Sequence, residues 1–175
     1  MNEIALTHTS FIVLGLLERL GEGTSYELKR TASASLGNFW SVPHSQLYAE
    51  PERLERAGHL SGEREDSGRR RKRYRLTERG HQALEAWRQE PDTGGQVELR
   101  DPSLLKLALG ADPSVLASAQ LAAHRHTLAE YEQRRALGPG TGPRGPWHTL
   151  DAGIAHEQVW VRFWADLARR YAGQP

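Results

Sequence analysis

A run of basic residues alternating with apolar ones lies near the middle of the chain. Eight Lys or Arg residues fall between positions 64 and 79. Arg71, Arg73 and Arg75 are separated by single residues. Because a β-strand has a side-chain period of two, these arginines share one face, and Tyr74 can turn to a core on the other. The run therefore predicts a strand with one basic face.

The segments around this run predict a hairpin and a helix. Leu60 to Glu65 can form the partner strand, and Asp66-Ser67-Gly68 has the residues of a turn. Thr77 is a plausible N-cap for a helix from Glu78 to about Glu90. A basic two-stranded ribbon suits a polyanion, because each Lys or Arg that meets a phosphate releases condensed counterion. The alternative is a solvated charged hairpin.

Three helical segments precede the ribbon. The first runs from about Thr9 to Leu20, the second opens on the capping box at 24–27, and the third runs from about Pro43 to Ala57. The predicted core-facing residues are Val13, Leu16, Leu17 and Leu20 in the first helix and Tyr26, Leu28 and Ala32 in the second. Three helices followed by a basic hairpin is the order of a winged helix-turn-helix domain, whose third helix enters the major groove.

Several short motifs follow one another along the chain. They are Leu14-Gly15-Leu16-Leu17, Tyr26-Glu27-Leu28-Lys29, Ser45-Gln46-Leu47-Tyr48 and the segment from Gly68 to Gly80. In this order and spacing they resemble the PadR family of transcriptional regulators. Two later motifs, Leu99-Arg100-Asp101-Pro102 and Gly153-Ile154-Ala155-His156-Glu157, are similar to the C-terminal helical domain of the longer PadR subfamily. The resemblance thus extends over nearly the whole chain.

The resemblance implies both a fold and a function. The fold is mainly α, with an N-terminal winged helix-turn-helix domain carrying a two-stranded basic wing and an α-helical C-terminal dimerisation domain. The function is that of a homodimeric repressor that binds a pseudo-palindromic operator in double-stranded DNA and is released by a small aromatic effector. The alternative is a protein-interaction adaptor that keeps this scaffold and has lost operator binding.

The predicted DNA contacts lie on the third helix, the second helix and the wing. Gln46 can pair bidentately with adenine, and Ser45 is permissive. Tyr48 resembles the family tyrosine that touches the DNA backbone, with a core aromatic as the alternative. The full set is His44, Ser45, Gln46, Tyr48, Lys29, Arg30, Arg69, Arg70, Arg71, Lys72 and Arg73.

Pro51 departs from the family pattern, which has an apolar residue at this position of the third helix. A proline inside a helix removes one backbone hydrogen bond and clashes with the preceding turn, at a cost of about 3 kcal/mol in a free helix. The sequence therefore predicts a kink or a broken turn between Tyr48 and Arg53. If the protein is an adaptor, this proline is the change that abolished operator binding.

Turn-forming residues divide the chain after the wing and its following helix. The segment 91–96 is too polar for a helix face. Asp101-Pro102 and Asp112-Pro113 each pair an N-cap acid with a proline at the first helical position, and the last helix spans about Trp147 to Tyr171. We expect a DNA-binding domain at 1–91, a linker at 92–100 and a helical dimerisation domain at 101–175.

Apolar residues in the last helix recur at alternating three- and four-residue steps, which is a heptad seam. A second stripe, which includes Trp160 and Phe163, lies on another flank, so the helix needs two neighbours. The helix from Asp112 can supply one and a second protomer the other; the alternative is a single-chain bundle. The predicted dimerisation residues are Leu150, Ile154, Val161, Trp164, Ala168 and Tyr171.

Tryptophan is abundant, with five in 175 residues. Each indole offers a flat surface to an aromatic ligand, although tryptophan is more often a core residue. The predicted effector contacts are Trp40, Trp87, Trp147 and Trp160.

Composition excludes several other classes of protein. The chain has no cysteine, so disulfides and thiolate metal sites are excluded. No apolar run approaches the roughly 18 residues of a membrane span, and the N-terminus lacks a signal-peptide pattern, so we expect a cytoplasmic protein without membrane contact. The histidines are scattered, and there is no phosphate loop or nucleophile elbow. We therefore expect no enzymatic activity, no metal and no cofactor.

Overall fold

The computed structural model describes residues 4–37, 39–64, 71–91, 99–140 and 144–172, and within them it contains seven α-helices and three short β-strands. The chain divides into two compact units, Met1–Gly94 and Gly95–Pro175. The first unit holds α1 (His8–Leu20), β1 (Gly23–Thr24), α2 (Ser25–Ser35), α3 (His44–Arg56), β2 (Leu60–Arg64), β3 (Lys72–Leu76) and α4 (Glu78–Gln89). The second unit holds α5 (Pro102–Ala108), α6 (Pro113–Ala136) and α7 (Gly145–Tyr171).

The first unit is a winged helix-turn-helix domain, as the sequence predicts. β2 and β3 pair antiparallel, with Gly62 opposite Tyr74 and Glu63 opposite Arg73. The sequence predicts two strands, but the sheet has three, because the two-residue β1 pairs with the other edge of β3. β3 is therefore the central strand, and its backbone is hydrogen-bonded on both sides.

The core of this unit forms around α1. Val13, Leu14 and Leu17 are fully buried, and Tyr74 of β3 is 3% exposed, which confirms that its ring turns inward. Burying each such leucine contributes about 1.5–3 kcal/mol relative to leaving it exposed. Two predictions were wrong: Leu20 is 40% exposed and Tyr26 is 57% exposed.

Side-chain caps begin most of the predicted helices. Thr24 and Glu27 form the predicted capping box of α2, and the Thr77 hydroxyl accepts from the Gly80 amide at the start of α4. Asp101 and Asp112 cap α5 and α6, each followed by proline at the helix start. Each cap stabilises its helix by about 1 kcal/mol, because it satisfies backbone amides that have no partner within the helix.

Pro51 does not break α3. The helix is continuous from His44 to Arg56, so the expected broken turn is wrong. The Pro51 ring is fully buried on the same side of the helix as Leu47 and Leu54. Its apolar burial offsets part of the cost of the backbone hydrogen bond that proline cannot donate to the Leu47 carbonyl.

In the second unit, α6 and α7 pack against each other, with α5 beside α6. Gly153 lies where α7 approaches the Tyr131 ring, and a Cβ there would come within 3.0 Å of that ring. Ala117 and Tyr131 of α6 and Ile154 and Trp164 of α7 are buried. Among the described residues, no helix is both long and apolar enough to cross a membrane.

The heptad seam of α7 is partly occupied within the chain itself. Ile154 is 3% exposed and Trp164 is fully buried in a single copy of the protein. Both residues therefore contribute to the core of their own unit. Leu150, Val161, Ala168 and Tyr171 are only half-buried, so these members of the predicted dimerisation set retain exposed surface.

A buried histidine joins α3 to the wing. His59 is 5% exposed, and its Nδ1 has no hydrogen-bond partner among the described residues. Its carbonyl lies so close to the start of α4 that a Cβ at Gly80 would come within 2.3 Å of it. Burial lowers the pKa of His59 from its ordinary 6.5, and the positive charge of Arg79 lowers it further.

This histidine predicts that stability falls in mild acid. The unfolded chain binds a proton on His59 below about pH 6.5, whereas the folded chain resists it, so the stability is fully present above that pH. It is lost as the pH falls towards the lower folded pKa. We expect His59→Leu to flatten the decrease in the free energy of unfolding between about pH 7.5 and 5, measured by urea denaturation. The exposed His148→Leu is the control, and an equal slope in the His59→Leu variant and the parent would contradict the prediction.

Candidate DNA-binding surface

α3 buries one face and exposes the other. Leu47, Pro51 and Leu54 pack into the core, while Tyr48 is 47% exposed. The exposed residues recur at three- and four-residue steps, as one face of a helix requires, and are Ser45, Tyr48, Ala49, Glu52 and Arg56. His44 and Gln46 are also exposed. The interpretation of Tyr48 as a core aromatic is therefore wrong.

A buried polar cluster attaches α3 to the start of α1. The Ser10 hydroxyl donates to Glu50 Oε1 at 2.6 Å. Arg53 donates to both Glu50 oxygens, at 2.7 and 2.9 Å, and to Ser10 Oγ at 2.9 Å. Its remaining nitrogen donates to the Ala5 carbonyl at 3.1 Å. The hydrogen bonds to Glu50 raise the pKa of the Arg53 guanidinium.

Gln46 is also tied to α1. The Thr9 hydroxyl donates to Gln46 Oε1 at 2.9 Å. Gln46, Glu50 and Arg53 are four and three residues apart, so they share the flank of α3 that meets α1. No sequence pattern indicates this contact, because Thr9 and Gln46 are separated by 37 residues.

Acidic residues form ion pairs with the basic side chains of β3. Glu22 accepts from Arg73 Nε at 2.8 Å and from Arg75 Nε at 2.6 Å. The hydrogen bond from Arg75 holds the pKa of Glu22 below its usual value, with Arg73 adding to the effect. Lys72 forms an ion pair with Glu55 of α3. The basic face of the wing is therefore partly neutralised before any partner arrives.

The other predicted wing and helix contacts are more open to solvent. Arg71 is exposed, whereas Arg69 and Arg70 lie outside the described residues. On α2, Arg30 is exposed and Lys29 is half-buried. Tyr26, whose predicted core position was wrong, places its ring on the surface within the first turn of α2. Exposed tyrosine hydroxyls are suited to phosphate contacts.

A cavity of about 540 Å³ opens beside α3. Its walls come from the start of α1, the segment 40–43 and α3, and include Thr9, Trp40, Gln46 and Arg53. The Trp40 ring lies 5.0 Å from the His8 ring and is 42% exposed. Of the four predicted effector contacts, Trp40 is the one that lines this cavity.

The remaining tryptophans in that set lie elsewhere. Trp87 of α4 stacks on Phe11 of α1, with ring centroids 4.6 Å apart and an interplanar angle of 7°. In the second unit, Trp160 donates from Nε1 to His156 Nε2 at 2.8 Å and stacks with His124. Trp147 lies half-buried in the first turns of α7.

The His124 ring that stacks with Trp160 also joins α6 to α7. Its Nδ1 lies 2.6 Å from Glu157 Oε2, and this glutamate is 9% exposed. Glu157 interrupts the apolar seam of α7, and His124 supplies the polar partner that a buried carboxylate requires. This pair is a further reason why the seam faces its own chain at this level.

Comparison with known proteins relates the first unit to a family. Residues 13–86 match the Transcriptional regulator PadR-like family. This part of the chain is a PadR-like domain. Over 79 residues the chain is 37% identical to the Negative transcriptional regulator PadR of Bacillus subtilis (strain 168). That alignment covers 44% of this chain and 43% of the relative, so the sequence match spans less than half of that protein's length.

Solved structures match a larger part of this PadR-like chain. Bacillus subtilis PadR in complex with operator DNA has a TM-score of 0.77 at 25% identity, covering 92% of this chain and 97% of that one. The same B. subtilis protein in complex with p-coumaric acid has a TM-score of 0.71 at 24% identity, covering 92% and 96%. The PadR-like fold therefore includes the C-terminal helices, and the family is one of transcriptional regulators rather than enzymes.

The ion pairs of Glu22 with Arg73 and Arg75 predict how the DNA affinity of this PadR-like wing changes when the acid is removed. We expect Glu22→Gln to release Arg75 and to loosen Arg73, which Glu27 still faces at 3.7 Å, since the neutral amide cannot hold two guanidinium groups. Affinity for DNA of any sequence should rise roughly two- to fivefold, the size of exposed ion pairs. The salt dependence should steepen as well. Fluorescence anisotropy with a random-sequence duplex at two salt concentrations measures both effects.

Glu130→Gln is the matched control, because it removes the same charge from an exposed glutamate of the second unit. An unchanged affinity in the Glu22→Gln variant would mean that Arg73 and Arg75 do not reach phosphates.

Proposed function

We propose that the protein is a sequence-specific DNA-binding repressor that acts as a homodimer. The observation that carries this proposal is the exposed face of α3, from Ser45 to Arg56, which lies next to a basic wing in a winged helix-turn-helix unit. In such domains the third helix enters the major groove, and two copies read half-sites one helical turn apart. The structure of B. subtilis PadR with operator DNA supports this arrangement by similarity.

The start of α3 supplies the proposed base contacts. Its first turn exposes His44, Ser45 and Gln46, and these short polar side chains are able to donate to base edges. Tyr48 follows one turn later, where its exposed ring can reach the sugar-phosphate backbone. The buried cluster of Ser10, Glu50 and Arg53 fixes α3 against α1, while these groups face solvent.

The wing and α2 supply the proposed backbone contacts. Lys72, Arg73 and Arg71 lie at or next to β3, and Arg69 and Arg70 precede them in the sequence. Phosphates must compete with Glu22 and Glu55 for two of these cations. Because a competing acid reduces the free energy gained from each phosphate contact, we expect the wing to bind DNA more weakly than its sequence implies.

The proposed dimer uses the outer face of α7. Val159 is 51% exposed and Phe163 is 38% exposed, and they are one turn apart on the side that α6 leaves uncovered. The predicted contacts Leu150, Val161 and Tyr171 are half-buried on the seam with Ile154 and Trp164, on the other side of α7 from this surface. Ile154 and Trp164 then stabilise the dimer indirectly, because they hold α7 against α6.

A charge on this outer face should separate the protomers. We expect Val159→Glu to yield a folded monomer, since burying a carboxylate without a partner is strongly unfavourable but Val159 is exposed in the single chain. Analytical ultracentrifugation with circular dichroism measures assembly and folding together. Val115→Glu, at a 72% exposed position on α6, is the control. A Val159→Glu variant that stays dimeric would place the interface elsewhere.

We further propose that a small aromatic effector releases the repressor. The support is the Trp40 cavity beside α3 together with the complex of B. subtilis PadR and p-coumaric acid. Trp87 and Trp160 are engaged by Phe11, His156 and His124, whereas Trp40 lines the cavity with its ring 5.0 Å from that of His8.

Selection of DNA sequences by the purified protein tests the proposed function, beginning with a gel shift on the DNA upstream of its own gene. We expect one palindromic site to be enriched. Gln46→Ala should cost about 1–3 kcal/mol on that site and relax the preference at one base position per half-site. The control is Gln82→Ala on the exposed surface of α4. Binding without any sequence preference would favour the adaptor function instead.

A further inference from the structure

We propose that Thr9 determines base specificity by holding the Gln46 amide, and this inference rests on the proposed DNA-binding function. The Thr9 hydroxyl donates to Gln46 Oε1 at 2.9 Å across the junction of α1 and α3. Thr9 itself projects from the first turn of α1, while Gln46 is exposed in the first turn of α3. A residue of α1 thus sets the orientation of a base-reading side chain on another helix.

The structure holds both ends of this contact firmly. On the α1 side, Thr7 and Ser10 form a reciprocal capping box, which fixes the first turn that carries Thr9. On the α3 side, Glu50 follows Gln46 by one turn and is bound by Ser10 and Arg53. Because the two helices are joined at the next turn by this buried cluster, the Thr9 hydroxyl meets Gln46 at a defined position rather than by chance.

The chemistry of the amide decides what it can read. A free glutamine pairs bidentately with adenine by using its carbonyl as acceptor and its amide nitrogen as donor. Here the carbonyl already accepts from Thr9, and Nε2 makes no hydrogen bond to the described residues. The carbonyl oxygen keeps one lone pair, but Thr9 fixes its direction, so the side chain acts mainly through the two N–H groups of Nε2. The acceptors in the major groove are N7 and O6 of guanine, N7 of adenine and O4 of thymine, and guanine offers two of them side by side.

This geometry changes the preference that the sequence alone predicts for Gln46. The sequence allows bidentate pairing with adenine, whereas the tethered amide favours guanine, whose N7 and O6 both accept, over adenine, whose N6 amino group needs the carbonyl. Without the tether, the carbonyl is free to turn towards N6 and the bidentate pairing with adenine is restored. Thr9 is thus a positioning residue, since it acts through Gln46.

The test compares DNA selection by the wild type, Thr9→Val and Thr9→Ser. Valine keeps the shape of threonine but cannot donate, whereas serine retains the donor. At the position that Gln46→Ala relaxes, the wild type and Thr9→Ser should prefer guanine. Thr9→Val should lower that preference about two- to tenfold, the range of one neutral hydrogen bond, and accept adenine. In a Gln46→Ala background, Thr9→Val should have no effect.

Two further measurements separate specificity from folding. Thr127→Val is the control, because it makes the same change at a residue whose hydroxyl bonds only its own helix, at the Ala123 carbonyl. The side-chain amide resonances of Gln46, assigned by their loss in Gln46→Ala, should shift in Thr9→Val and not in Thr127→Val. Urea midpoints should be equal within the series, since Thr9 is outside the core.

Three outcomes would overturn the proposal. A wild type that selects adenine over guanine at this position would show that the tether does not restrict how the amide pairs. A Thr9→Val variant with unchanged base frequencies, while Gln46→Ala relaxes them, would remove Thr9 from specificity and leave the repressor function intact. A wild type without any sequence preference would overturn both the repressor function and this inference.

Discussion

The placement of α3 depends on one buried carboxylate. Glu50 is 9% exposed, and an unpaired charge at that depth would destabilise the fold strongly. Arg53 compensates it from within α3 and Ser10 from α1, so α3 is stable only where Ser10 reaches it. Breaking such a cluster by removing one partner costs about 3–5 kcal/mol, because the remaining charge stays buried. The cluster is therefore a strong constraint on how the exposed face of α3 is oriented.

A second constraint is the balance of charge on the surface around α3. The whole chain has a net charge of only +1, although its middle is densely basic. Glu22 and Glu55 sit against β3 and neutralise its cations. Glu55 keeps β3 against α3 in the absence of DNA, and Glu22 joins the same strand to the segment between α1 and β1. They also limit attraction to any polyanion, so selectivity depends more on α3.

Much of the architecture follows from local rules that a sequence displays directly. The capping residues Thr24, Thr77, Asp101 and Asp112 mark helix starts because each must satisfy nearby backbone amides. The alternation around Tyr74 marks a strand because side chains alternate across a sheet. The order and spacing of the short motifs indicated the PadR-like family, because a set of motifs at fixed spacing is typical of one fold. These features needed no knowledge of distant contacts.

Other features were decided only when distant segments met. Tyr26 has the spacing of a core residue, yet the packing of α2 leaves its ring in solvent. Pro51 should break a free helix, but burial among neighbouring apolar side chains allows α3 to continue through it. The apolar residues of α7 recur with the period of a dimer interface, but the period is the same whether the partner is another chain or α6.

The sequence by itself determined the helix starts, the basic strand, the family and the set of exposed polar residues on α3. Only the tertiary structure decided which of those residues are tethered: Gln46 to Thr9, Lys72 to Glu55, and Arg73 to Glu22. The physical reason is the distance along the chain over which each kind of interaction acts. Caps and periodicity act within one or two turns of chain, whereas these pairs join residues 17 to 51 positions apart. Such partners are chosen by packing, which no local pattern records.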